Sequence, residues 1–92
     1  MYIILVYDIS MDEGGPKTLR WAFKTCKKYL VHIQNSTFEG ELSESQIIKL
    51  KNELKKHLRD DRDSCIIFKT RNEKWLDKEF LTSEEDKTSN FL

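Results

Sequence analysis

Met1-Tyr2-Ile3-Ile4-Leu5-Val6-Tyr7-Asp8-Ile9-Ser10 opens the chain with an apolar, β-branched and aromatic run that meets no charge before Asp8. A half-exposed strand would alternate apolar and polar residues. A continuous run reads instead as a central strand, covered on both faces or covered by helices on one face and by a partner on the other. Asp8 closes the run. Gly14-Gly15-Pro16 then breaks the chain, with proline where a helix start best tolerates its missing N–H.

Downstream of this strand, Leu19, Ala22, Phe23, Cys26 and Leu30 recur at spacings of three and four, which predicts an amphipathic helix from Lys17 to Tyr29. Its other side carries Arg20, Lys24, Lys27 and Lys28, and Trp21 lies off the apolar stripe, as an edge cover or partner contact would. Residues 30–42 predict two short strands turning near Gln34-Asn35-Ser36. Ser43 and Gln46 form a capping box. The helix it starts has Ile47, Leu50, Leu54 and Leu58 as its stripe, with Lys49, Lys51, Lys55 and Lys56 outside. A polar turn, Arg59-Asp60-Asp61-Arg62-Asp63, leads into a fourth strand at Ser64–Thr70.

This β-α-β-β-α-β order is the ferredoxin-like α+β plan, an antiparallel sheet with both helices on one face. The other face is left bare, and two copies packed bare face to bare face would cover it. We expect a single domain over residues 1–92, with a core at about 1–71 and a dimer-packing arm or short strand at about 72–92. The arm carries Trp75, Leu76, Phe80, Leu81, Phe91 and Leu92. A chain of 92 residues buries a modest fraction of its apolar surface, so a second copy is a natural supplement.

Net charge is zero but unevenly spread. Residues 15–59 hold ten Lys/Arg against four Asp/Glu, whereas the first fourteen residues and residues 72–92 each carry a net −3. Segment asymmetry of this kind bears on a polyanionic partner more than the total does. Cys26 and Cys65 are far apart in sequence, which excludes a paired-cysteine metal knuckle and argues for buried free thiols. The opening run lacks a basic lead and is cut short by Asp8, so neither a secretory signal nor a membrane span is expected, and the thiols suit the cytoplasm.

Asp8 is the first candidate for chemistry, because a carboxylate ending a strand before a glycine-bearing loop sits where ligands bind. A strand-end aspartate also caps or turns a chain. One carboxylate is a poor site for a divalent ion, which takes several oxygen ligands. A two-fold axis near Asp8 would supply a second carboxylate from the partner. His32 and His57 read as structural or solvated, and no nucleophile triad, phosphate-binding glycine loop or zinc motif is present. Lys17, Arg20 and Lys24, with Arg71 after the last strand, are candidates for phosphate contact, against the ordinary role of lysines in keeping a surface soluble.

Four stretches resemble CRISPR-associated family two, the small nuclease that partners the spacer integrase. Its opening strand ends in Tyr-Asp-Ile, as Tyr7-Asp8-Ile9 does; its second signature is similar to Ile33-Gln34-Asn35-Ser36-Thr37-Phe38-Glu39-Gly40-Glu41-Leu42. Ser64-Cys65-Ile66-Ile67-Phe68 resembles its fourth strand, and Asn90-Phe91-Leu92 a common ending. The resemblance implies a ferredoxin-like homodimer in which both Asp8 residues share Mg²⁺ or another divalent ion such as Mn²⁺. Tyr7 and Phe38 would shape the catalytic site. It implies endonuclease activity on single-stranded RNA or double-stranded DNA, and a place between integrase subunits during spacer acquisition. Relatives often carry arginines soon after the aspartate; Met11-Asp12-Glu13-Gly14-Gly15 stands here instead, so acidic residues are expected to weaken phosphate binding. His32 stands where some relatives have a basic residue. A non-catalytic scaffold that binds duplex DNA and bridges integrase dimers is the alternative to the enzyme, and a ribonuclease toxin of similar fold is a third.

Overall fold

The computed structural model describes residues 1–82. Its elements are β1 (Tyr2–Asp8), α1 (Gly15–Tyr29), β2 (Val31–Gln34), β3 (Thr37–Glu41), α2 (Glu44–Lys55) and β4 (Ser64–Thr70), followed by a 3₁₀ turn at Glu73–Trp75. The sheet order is β2-β3-β1-β4 and every neighbouring pair is antiparallel, the ferredoxin-like arrangement expected from the sequence.

β1 is paired along both edges: Tyr2 to Val6 face Glu41 to Thr37 of β3, and Tyr2 to Asp8 face Thr70 to Ser64 of β4. Successive strand side chains point to opposite faces. Ile3, Leu5 and Tyr7 are therefore buried on one face, at 3% exposure or less, while Ile4 and Val6 are half-buried on the other. The buried face meets Ala22 and Cys26 of α1 and Ile47, Leu50 and Leu54 of α2, with Phe38 of β3 in the same cluster. The apparent two-sided burial of the run in sequence is thus helix packing on one face and partial cover on the other.

Local chemistry sets the ends. α1 begins two residues before the expected Lys17, with Pro16 in its first turn. Gly15 packs so closely that a Cβ there would lie 2.3 Å from the Ser10 carbonyl oxygen, which only glycine accommodates. Asn35 turns the β2–β3 hairpin at φ 41°, a left-handed conformation asparagine tolerates. At α2, the Ser43 hydroxyl accepts from the Gln46 backbone N–H, and the Ser43 N–H donates to the Gln46 side chain at 2.9 Å. Leu58 lies beyond α2 yet packs against the core.

The arm differs from a strand. After the 3₁₀ turn, residues 76–82 cross the chain's own sheet without forming one. Lys78 is ion-paired with the buried Glu39, and Phe80 and Leu81 border a concavity of about 360 Å³ with Ile4, Ile33 and Thr37. The β1–β4 side stays bare, with Ile66 at 52% and Phe68 at 57% exposure. Phe91 and Leu92, and the Asn90-Phe91-Leu92 ending, lie outside the described residues.

Cys26 and Cys65 are free thiols, the first buried and the second half-buried. Despite their separation in sequence they stand close enough to interact: burial, with Cys65 adding to it, pushes the Cys26 thiol up to about 12. Among the described residues no helix is long and apolar enough to cross a membrane.

Leu50 is fully buried between α2 and the sheet. Leu50→Ala is expected to cost about 2–5 kcal/mol, read as a lower urea midpoint at unchanged slope.

Candidate functional site

Asp8 ends β1 opposite Ser64, and its side chain is exposed. Strand alternation gives it the same face as Ile4 and Val6, and hence as Phe68 and Ile66 directly across from them. The carboxylate therefore borders the bare apolar part of the sheet. Beside it lies a concavity of about 380 Å³ lined by Asp8, Ser10, Asp60, Asp61, Arg62, Asp63 and Ser64.

The loops around Asp8 are fastened by an ion-pair network. Arg59 grips Asp63 through two parallel contacts, Nε to Oδ2 and Nη2 to Oδ1, both at 3.0 Å. The same guanidinium donates to Asp12 Oδ1 at 2.6 Å and to the Ser10 carbonyl at 2.9 Å. Asp63 also accepts from the backbone N–H of Ser10 at 3.0 Å and of Arg59 at 2.9 Å. Arg62 donates to the other Asp12 oxygen at 2.7 Å. Bidentate, charge-assisted contacts of this kind fix geometry. They tie the loop after β1 to the loop before β4, so Asp8 emerges between two anchored segments.

Arg59 hydrogen bonds hold the Asp63 carboxyl down to about 2, and those of Arg59 and Arg62 hold Asp12 below the usual carboxylate range. This bears on one expectation from the sequence, that of acidic residues beside the site. Asp12 does not stand as free negative charge beside Asp8, because Arg59 and Arg62 both neutralise it. Arg59 and Arg62 are engaged by Asp12, Asp61 and Asp63, and Asp60 and Asp61 keep the concavity beside Asp8 acidic. Arg59, Asp63 and Arg62 looked like an ordinary polar turn, although the i,i+4 spacing of Arg59 and Asp63 was the available signal.

The remaining candidates divide between places. Tyr7, Arg20 and Lys24 line a second concavity of about 550 Å³ together with Leu19, Phe23, His32, Asn35 and Ser36. Lys17 is exposed on the same helix, near its start. Burial pushes the Tyr7 phenol above its ordinary range, so it is neutral at physiological pH. Phe38 is fully buried and packs against Tyr7 at 5.9 Å between ring centroids, so it supports that residue from behind and does not face solvent. His32 is a core histidine: Nε2 donates to the Asn35 carbonyl at 2.8 Å, and its ring packs on Phe23 and Phe38. Arg71 does not join Asp8. It follows Thr70, which pairs with Tyr2 at the far end of β1, roughly 20 Å away at about 3.3 Å per residue.

Asp8 oxygen is the right donor type for a hard divalent ion, but one chain supplies too few. Among the described residues no group of three or more His, Cys, Asp or Glu side chains is placed to hold a metal.

The chain matches the family model described as "CRISPR associated protein Cas2" over residues 1–78. It belongs to the Cas2 family. A relative from Fusobacterium nucleatum named CRISPR-associated endoribonuclease Cas2 is 61% identical over 92 residues, covering 100% of this chain and 87% of that one. A Moorella thermoacetica protein named CRISPR-associated endoribonuclease Cas2 2 is 42% identical over 98% of this chain and 100% of its own. A crystal structure of Cas2 superposes with TM-score 0.78 at 33% identity, covering 92% of this chain and 90% of that one. The Cas2 resemblance read from the Tyr7-Asp8-Ile9 and Ile33–Leu42 segments therefore holds over nearly the whole chain.

The network has an acid limit. Asp63 is depressed to about 2 in the folded state against about 3.9 unfolded, so its contribution is complete above about pH 4 and fades as pH falls towards 2. Wild-type urea midpoints should drop over that interval, and those of Asp63→Asn should start lower and change less. Parallel pH profiles of the two proteins would contradict the assignment.

Proposed function

We propose that this Cas2 chain is a divalent-metal-dependent endonuclease in which two copies bring their Asp8 carboxylates together around one Mg²⁺ or Mn²⁺ ion. The single observation that carries this reading is that Asp8 shares its sheet face with Ile4, Val6, Ile66 and Phe68. The last two are more than half exposed. An apolar surface of this kind seeks cover, and a two-fold partner laid on it would bring a second Asp8 towards the first. The relatives' names, which specify endoribonucleases, support the reaction class.

Such an ion supplies charge neutralisation at a phosphodiester and acidifies bound water. The chain's own residues set the conditions for that chemistry. The Arg59–Asp63–Asp12 network holds the loop after Asp8, so the carboxylate keeps its direction. Among the described residues Arg62, at the rim of the same concavity, pairs with the half-buried Asp12 and the exposed Asp61, and it would receive phosphate in exchange for either. Arg20 and Lys24 extend the positive surface beyond Tyr7.

A DNA-holding scaffold that docks integrase subunits during spacer acquisition is the second reading, favoured by the five cations and absent acids of α1. It needs the dimer but not the metal. Single-stranded RNA and duplex DNA are the substrates to compare.

Asp8→Asn is expected to lower magnesium-dependent cleavage by about a hundredfold or more while the protein keeps its mass in light scattering. Cleavage retained in the mutant would remove the catalytic assignment, and a monomeric wild type at micromolar concentration would remove the shared site. Binding to nuclease-resistant duplex should weaken linearly with log salt concentration, and an affinity indifferent to salt would contradict the scaffold reading.

A further inference from the structure

The outer surface of α1 contributes no residue to the Asp8 concavity. The helix carries Lys17, Arg20, Lys24, Lys27 and Lys28, and no acidic residue. All five cations are exposed. Among the described residues Lys28 alone of the five is ion-paired, with Glu53 at 2.6 Å. Lys17, Trp21, Lys24 and Lys28 follow one another at spacings of four, three and four. At 100° per residue they fall within about 60° of one another, a single stripe along the helix.

Trp21 is the anomaly in that stripe. A large aromatic at 43% exposure belongs neither to the core nor to an ordinary lysine-rich surface. Its indole is not loose: His57, just past α2, stacks on it with ring centroids 4.4 Å apart and planes within 8°. The ring is thus held in a fixed plane among cations.

We propose that this face of α1 is a binding track for single-stranded nucleic acid, with Trp21 as a platform on which a base stacks and the flanking lysines and Arg20 following the phosphates. A duplex hides its bases and would engage only the cations, whereas an unpaired strand matches both the charge and the aromatic ring. A lipid surface would need a broad apolar face, but the apolar side of α1 is buried against the sheet through Ala22 and Cys26. The track requires neither Asp8 nor a second copy, so it stands or falls apart from the nuclease reading.

The test uses Trp75→Phe protein, in which Trp21 is the one remaining tryptophan, in EDTA so that metal-dependent cleavage is off. It is titrated with a short oligothymidylate, an oligouridylate, a duplex of equal length and phosphatidylserine vesicles. Either single strand should quench the indole fluorescence. Trp21→Ala should weaken single-strand binding about tenfold, Trp21→Phe should keep most of it, and duplex affinity should change by less than about twofold. No quenching by the oligonucleotides overturns the proposal without recourse to any Trp21 variant. So does an equal loss of single-strand and duplex binding in Trp21→Ala, or quenching by vesicles alone.

Discussion

The alternation of side chains along β1 is the constraint from which the rest follows. Burying Ile3, Leu5 and Tyr7 beneath the helices leaves Ile4, Val6 and Asp8 no choice but the opposite face. Pairing on both edges removes any freedom to slip, since a shift of one residue would expose the core set and bury a carboxylate. The strand's position in the sheet therefore decides where the candidate catalytic group stands. It also decides what surrounds it: an apolar surface from β4 on one side and two charged loops beyond its end.

Those loops would be mobile on length alone, and the ion pairs make them a frame. Arg59 is the hub, because one planar guanidinium satisfies Asp63, Asp12 and the Ser10 carbonyl together. Asp63 has no side-chain exposure, and its carboxylate is met by Arg59 and two backbone N–H groups. Asp12 sits at the wetter edge and shares its charge with Arg62. The arrangement grades from a buried pair, Arg59 with Asp63, to a more exposed outer one, Arg62 with Asp12.

Much of this was legible in the residues. The run from Tyr2 to Tyr7, the Ser43–Gln46 box and the Ser64–Thr70 strand are local signals, and each appears where its chemistry placed it. Asp8 was legible because a charge ending an apolar strand is conspicuous. The arm was less so: Lys78 finds Glu39 and Phe80 finds the sheet through contacts some forty residues apart, which no local pattern encodes. The grouping of the cations was hidden for the same reason. Arg71 looked equivalent to Arg20 in sequence, yet antiparallel pairing carries it to the other end of β1. Phe38 read as a site residue by motif, and its complete burial makes it a support for Tyr7.

If two Asp8 carboxylates share one ion, the ratio of bound ions to chains must show it. Equilibrium dialysis with Mn²⁺ at concentrations where the protein is dimeric should give one high-affinity ion per two chains, lost in Asp8→Asn. One ion per chain, or binding undiminished by that substitution, would contradict it.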